Sequence, residues 1–186
     1  SRPDEEPATL SPLGPDQGAR FKRGLIVHRL LQSLPDAPAA ERERVARDFL
    51  SRPMLALDPE DVDDLVRETL AVLSHADLAD LFGPGSLAEV PITGVVGKGA
   101  GVRVVSGQVD RLLVTDDAVT VIDFKSNRPP PESEADVSLV YLRQMAAYRA
   151  ALQGIYPDRP IKAILLWTAG PRLMVLSEQI LDAHAP

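Results

Sequence analysis

Two aspartates and a lysine stand where they could do chemistry: Asp110 in Gly107-Gln-Val-Asp110-Arg111, and Asp123 with Lys125 in Val119-Thr-Val-Ile-Asp123-Phe-Lys125. Both segments are rich in Val, Ile and Leu and flank Asp116-Asp117, so they read as a β-hairpin. With the turn centred on Asp116-Asp117, facing positions sum to 233, and Asp110 lies opposite Asp123. Opposed residues in a hairpin hold their Cβ atoms about 4.5–5.5 Å apart, and like charges there repel. Something must offset that repulsion. Strand alternation puts Lys125 on the face of Asp123. Two hard oxygen donors with an amine beside them suit a Mg²⁺ that keeps several waters and binds a substrate phosphate. The lysine could then orient or activate water for attack on phosphorus, which is metal-assisted phosphodiester hydrolysis. Two other readings stay open. Asp110 could pair with Arg111 or Arg103, and Asp123 with Lys125, on a solvated sheet face. Alternatively the aspartates could act as acid and base without metal, which leaves Lys125 and His28 without a role.

The elements that must position these groups follow from periodicity and turn signals. Helical spacing of apolar residues covers 19–34, ended by Pro35, with a charged second helix over 39–50 and a third over 59–73. Asp58-Pro59 reads as an N-cap followed by Pro at the first helical position. A short helical turn spans 76–82, before Gly83-Pro84-Gly85. Strands are expected over 87–96, 102–114 and 119–124, a helix over 136–153 closed by Gly154, and strands over 161–167 and 173–176. Residues 1–18 read as an extended lead-in, and 19–186 as one domain with a helical part (19–86) and a sheet-containing core (87–186). The start at Ser1 reads as that of a processed protein or of a fragment cut from something longer. Gly94 to Gly101 reads as a flexible hairpin tip, because it fits neither the P-loop nor the dinucleotide fingerprint.

Composition narrows the classes. The 186 residues hold 20 Lys and Arg against 27 Asp and Glu, a net charge of −7, which argues against holding DNA by bulk charge alone. The absence of cysteine excludes disulfides, thiolate zinc and iron-sulfur ligation, and a cysteine nucleophile. No apolar run approaches the roughly 20 residues of a membrane-spanning helix. Aromatic residues make up only 4%, which limits base stacking as a source of affinity.

The motif around Asp110, together with Ile122-Asp123-Phe-Lys125-Ser-Asn-Arg128-Pro-Pro-Pro131, resembles the PD-(D/E)XK nuclease superfamily. Within it, the likeness is to the RecB-like nuclease domain at the C-terminal end of AddA-type helicase-nuclease subunits. Gly24-Leu-Ile-Val-His28-Arg-Leu-Leu31, Ala88-Glu89-Val-Pro91, the pair Gln144 and Tyr148, and Leu165-Leu-Trp167-Thr-Ala-Gly-Pro-Arg-Leu173 extend it along the chain. The resemblance implies a mixed central sheet flanked by helices, an α/β restriction-endonuclease-like fold with a helical N-terminal part. It implies metal ligation by His28, Asp110, Asp123 and the main-chain carbonyl of Phe124, with Lys125 as the catalytic lysine. Glu89 would be a supporting acid, and Gln144 and Tyr148 would line the DNA channel. Taken alone, His28 on an amphipathic helix could equally be a boundary histidine, and Gln144 with Tyr148 an ordinary polar pair one turn apart. Arg128 is a phosphate contact or a solvated charge, and Trp167 is core.

The function implied is Mg²⁺-dependent cleavage (Mn²⁺ a substitute) of single DNA strands delivered by a helicase motor, in double-strand break repair and recombination, without an iron-sulfur cluster. An AddB-type partner subunit and a bacterial cytoplasmic setting are implied with it. The rival is a catalytically silent nuclease-like module that binds DNA or a partner subunit.

Overall fold

The computed structural model describes residues 15–97 and 102–186. Its elements in order are α1 (Pro15–Ser33), α2 (Arg42–Leu50), α3 (Pro59–Ser74), β1 (Ser86–Val96), β2 (Arg103–Val114), β3 (Val119–Lys125), α4 (Leu139–Ile155), β4 (Ile161–Trp167), β5 (Arg172–Val175) and α5 (Glu178–Ala183). Short 3₁₀ turns join them, including Ala39–Glu41 ahead of α2 and Ala76–Phe82 ahead of β1. No helix among the described residues is long and apolar enough to cross a membrane.

The strands form one mixed sheet in the order β1-β2-β3-β4-β5. β1, β2 and β3 run antiparallel, as consecutive hairpins do. β4 lies parallel to β3, which requires a crossover, and α4 supplies it. α4 and α5 cover one face, where Leu142, Met145 and Leu152 pack on Val121, Ala163, Leu165 and Trp167. The helical N-terminal part covers the other, where Leu30, Leu31, Leu65 and Val72 pack on Ile122, Phe124, Ile164 and Leu166. β3 is thus buried along its whole length, as expected of a strand sandwiched between layers. α3 starts where the Asp58 signal places it: the Asp58 carboxylate accepts from the Asp61 N–H at 2.8 Å.

Several expectations are corrected. Residues 15–18 form the first turn of α1, and the remainder of the expected lead-in, 1–14, lies outside the described residues. Likewise 98–101 of the expected hairpin tip are outside them, while Gly94 to Val96 are strand. The helix expected from 136 is a 3₁₀ turn over Glu134–Asp136, and α4 begins only at Leu139. Gly154 does not close α4, which runs on to Ile155. On α1 the buried stripe is Ile26, Val27, Leu30, Leu31 and Leu34, while Phe21 and Leu25 face solvent.

The β2–β3 register has the expected sum, pairing Arg111 with Ile122 and Val114 with Val119, but the ladder stops there, one step short of Asp110 and Asp123. Beyond that point β2 continues with β1 alone, and β3 with β4. Strand alternation also breaks at this place. Val109 and Leu112, three residues apart, both enter the α4 core, whereas strict alternation puts them on opposite faces. Opposite Asp110, Glu89 has no ladder partner and takes φ 54°, a left-handed conformation that a non-glycine residue adopts at a cost.

Candidate active site

The opening between β2 and β3 holds the predicted residues. Asp123 and Lys125 project from β3 toward α4 and are almost fully buried. Lys125 Nζ lies 2.5 Å from Asp123 Oδ2, donates to Gln144 Oε1 at 3.2 Å and sits 3.9 Å from the Tyr141 ring centre. Asp110 reaches across the gap that the broken ladder leaves, and its Oδ2 accepts the Phe124 N–H at 2.6 Å. Its Oδ1 meets His28 Nδ1 at 3.0 Å, with the His28 ring edge-on to Phe124, centroids 5.6 Å apart. α1 therefore delivers its histidine to the strand opening, seven residues after Phe21 on the same side of the helix.

The repulsion expected between the aspartates is offset separately for each. Lys125 neutralises Asp123, while a backbone N–H and an imidazole engage Asp110. Removing either carboxylate therefore unpairs Lys125 or His28 as well as relieving repulsion. The solvated-face alternative is half right: Asp123 does pair with Lys125, but in the interior. Arg111 points away from Asp110, donating to Ser86 Oγ at 3.0 Å with its guanidinium over Phe82.

Electrostatics concentrate here. Burial pushes the Asp123 carboxyl up, Lys125 opposes the rise, and Asp110 adds to it. For His28 burial acts downward, but the hydrogen bond to Asp110 and the charges of Asp110 and Asp123 together carry its pKa above the ordinary histidine value. Glu89 is pushed up by burial and by Asp110. With His28, Arg29, Gln108 and Asp110, Glu89 lines a cleft of about 300 Å³.

Gln144 and Tyr148 are brought to the site. Gln144 Nε2 donates to the Tyr148 hydroxyl at 3.1 Å, and that hydroxyl donates to the Gln108 carbonyl at 3.1 Å. Tyr148 is 6% exposed and Gln144 half-buried, and the two residues tie Lys125 to β2. Gly107 makes room for them, since a Cβ there would lie 2.7 Å from Tyr148 Cε1. Trp167 is core, as expected.

The Arg128 side chain is 54% exposed and is also ion-paired. Its Nη2 donates to Glu68 Oε2 at 2.6 Å, an oxygen that also accepts from Arg23 at 2.6 Å. Thr168 Oγ1 donates to Glu68 Oε1 at 2.7 Å, and the Thr168 N–H donates to the Lys125 carbonyl at 3.0 Å. This clamp, centred on the buried Glu68 carboxylate, joins α1, α3, the segment after β3 and the end of β4. Sequence reasoning missed it. The signal was a glutamate set in the apolar stripe of α3, beside the buried Leu65, Thr69 and Val72.

The donor chemistry of Asp110, Asp123 and His28 fits a hard divalent cation. As arranged, Lys125 engages Asp123 and both His28 and the Phe124 N–H engage Asp110, and no three His, Asp or Glu among the described residues form a ready metal-binding group.

A comparison with curated proteins finds no match. A solved structure described as "Crystal structure of SSO0001" is similar with a TM-score of 0.36 at 12% sequence identity, over 88% of this chain and 82% of that one. The family profile of the PD-(D/E)XK nucleases matches residues 6–176, a span that takes in His28, Glu89, Asp110, Asp123, Lys125 and Gln144. The chain belongs to the PD-(D/E)XK nuclease superfamily.

Proposed function

We propose that this chain is the metal-dependent DNA nuclease domain of an AddA-type, RecB-like helicase-nuclease, cutting strands that a motor outside this sequence has unwound during double-strand break repair and recombination. The observation that carries the nuclease reading is the convergence of Asp110, Asp123 and Lys125 where β2 and β3 part, within a chain of this superfamily. The motif order from His28 to Tyr148 supports the finer assignment. The net charge of −7 agrees with it, because a motor and an AddB-type partner would hold the duplex. A bacterial cytoplasmic setting goes with that reading.

Asp110 and Asp123 would hold Mg²⁺, with Mn²⁺ as a substitute, helped by His28 and the Phe124 carbonyl. The ion would supply Lewis-acid stabilisation of the charge that develops on the phosphoryl oxygens. The chain's own groups do the rest. Lys125, freed from Asp123 and steered by Gln144 and Tyr141, orients the attacking water and donates to the phosphate. Tyr148 and the Gln108 carbonyl keep Gln144 in place. Asp110, anchored by the Phe124 N–H, fixes the spacing of the two strands.

Incubation of the full chain with end-labelled single-stranded and duplex DNA in Mg²⁺, in EDTA, and as Lys125→Ala tests this. Cleavage of the single strand in Mg²⁺ only, lost in Lys125→Ala, is the expected result. DNA binding without cleavage would instead establish the silent module.

A further inference from the structure

The face of α1 that remains in water combines two features. Phe21 is 70% and Leu25 57% exposed, one helical turn apart, and the same stripe reaches His28 a turn later. Leu25, His28 and Arg29 line the cleft that contains Asp110 and Glu89. Single exposed apolar residues need no explanation, but these two are continuous with the cleft mouth. The second feature is charge. Pro15–Ser33 carries Arg20, Lys22, Arg23 and Arg29 against Asp16 alone, on a chain whose net charge is −7. Lys22 is tied to the Leu55 carbonyl and Arg23 to Glu68; Arg29 donates to the neutral Gln32 at 2.6 Å, so Arg20 and Arg29 remain exposed cations beside Phe21 and Leu25.

A ring in water next to cations suits an unpaired nucleic-acid strand, which offers base faces to stack and phosphates to neutralise. A duplex hides its base faces. An apolar protein surface would gain nothing from the cations. We propose that the Phe21–Leu25–Arg29 face of α1 is the track on which a single strand enters the cleft, with a base on the Phe21 ring, the next against Leu25, and a phosphate on Arg29. This inference rests on the nuclease reading and specifies how its substrate is held.

The test is the affinity of the full chain for a fluorescent oligothymidylate, read by anisotropy across a salt series with Ca²⁺ replacing Mg²⁺ to suppress cutting. Phe21→Ala should weaken binding by at least about fivefold, from the usual worth of one base stacked on an aromatic side chain, and Phe21→Trp should retain it. Arg29→Ala should reduce the salt slope by about 0.7, the share of one phosphate contact on a single strand. Melting temperatures should not move, since both side chains are exposed. Wild-type affinity in Phe21→Ala and Leu25→Ala, with cleavage intact in the parent, overturns this inference and leaves the nuclease reading standing. A change in self-association, seen by light scattering, with unchanged DNA affinity also overturns it and assigns the face to a second copy. A parent that neither binds nor cuts the strand overturns both readings.

Discussion

Replacing Lys125 with methionine leaves Asp123, 4% exposed, as an unpaired carboxylate beside Asp110. Water cannot take the place of the ammonium in so buried a position. Breaking a buried pair by removing one partner costs roughly 3–5 kcal/mol, and for a chain of this size that corresponds to a fall of roughly 6–20 °C in Tm. The loss must depend on pH. Burial and Asp110 already raise the Asp123 pKa against the opposing charge of Lys125, and without the lysine it rises further. A carboxyl whose folded pKa is raised favours the fold below its unfolded value, about 3.9. That contribution disappears as pH increases through the folded value. Lys125→Met should therefore be most destabilised near pH 7–8 and approach the parent near pH 4. In the double variant Asp123→Leu/Lys125→Met no charge is left stranded, and stability should return to the parent level or exceed it. Urea denaturation of the parent, Lys125→Met, Asp123→Leu and the double variant near pH 4 and pH 7 completes the cycle. A Lys125→Met protein as stable as the parent at pH 7, or equally weakened at both pH values, would refute the buried pair.

Gly107→Ala should lower stability by about 1–3 kcal/mol, because the added methyl must displace the Tyr148 ring; urea midpoints measure it, and Tyr148→Phe in the same background should not restore them. Without metal, the raised His28 pKa means that the His28–Asp110 contact stabilises the fold fully below about pH 6.5 and is lost as pH rises through the folded value. His28→Gln in EDTA should therefore cost stability at pH 5.5 and little at pH 9, whereas an equal cost at both would mark His28 as a packing residue. Glu68→Ala should cost roughly 1–3 kcal/mol, since the buried Thr168 hydroxyl loses its acceptor while Arg23 and Arg128 can turn to water, while Arg67→Ala, which removes the exposed pair with Asp64, should change stability by less than about 1 kcal/mol.

The parts legible in the sequence are those governed by local chemistry. The Asp116-Asp117 turn fixed a register that holds from Arg111–Ile122 to Val114–Val119, and Ile161 to Trp167 is a strand as its run of apolar residues indicates. Gly154 misled because a glycine in an exposed helical turn costs only about 1 kcal/mol, and a Cβ there would meet nothing within 4 Å. α5 escaped notice because a six-residue helix shows little periodicity, although Ser177 caps it by accepting the Ile180 N–H. At the candidate site, the Asp123–Lys125 pair was readable, but the partners of Asp110 and His28 were not. The end of the β2–β3 ladder, the left-handed Glu89 and the Glu68 clamp all depend on contacts between residues distant in sequence. Burial of Tyr148 likewise depends on Gly107, 41 positions earlier in the chain, and no local spacing encodes it.

The central claim, that Asp110 and Asp123 hold a divalent cation, is tested most directly by titrating Mn²⁺ into the full chain by calorimetry, with electron paramagnetic resonance to count bound ions. The account predicts saturable binding that Asp110→Asn and Asp123→Asn each abolish, while their circular dichroism stays that of the parent. Binding of the same strength in both variants, or no binding in the parent, would contradict it.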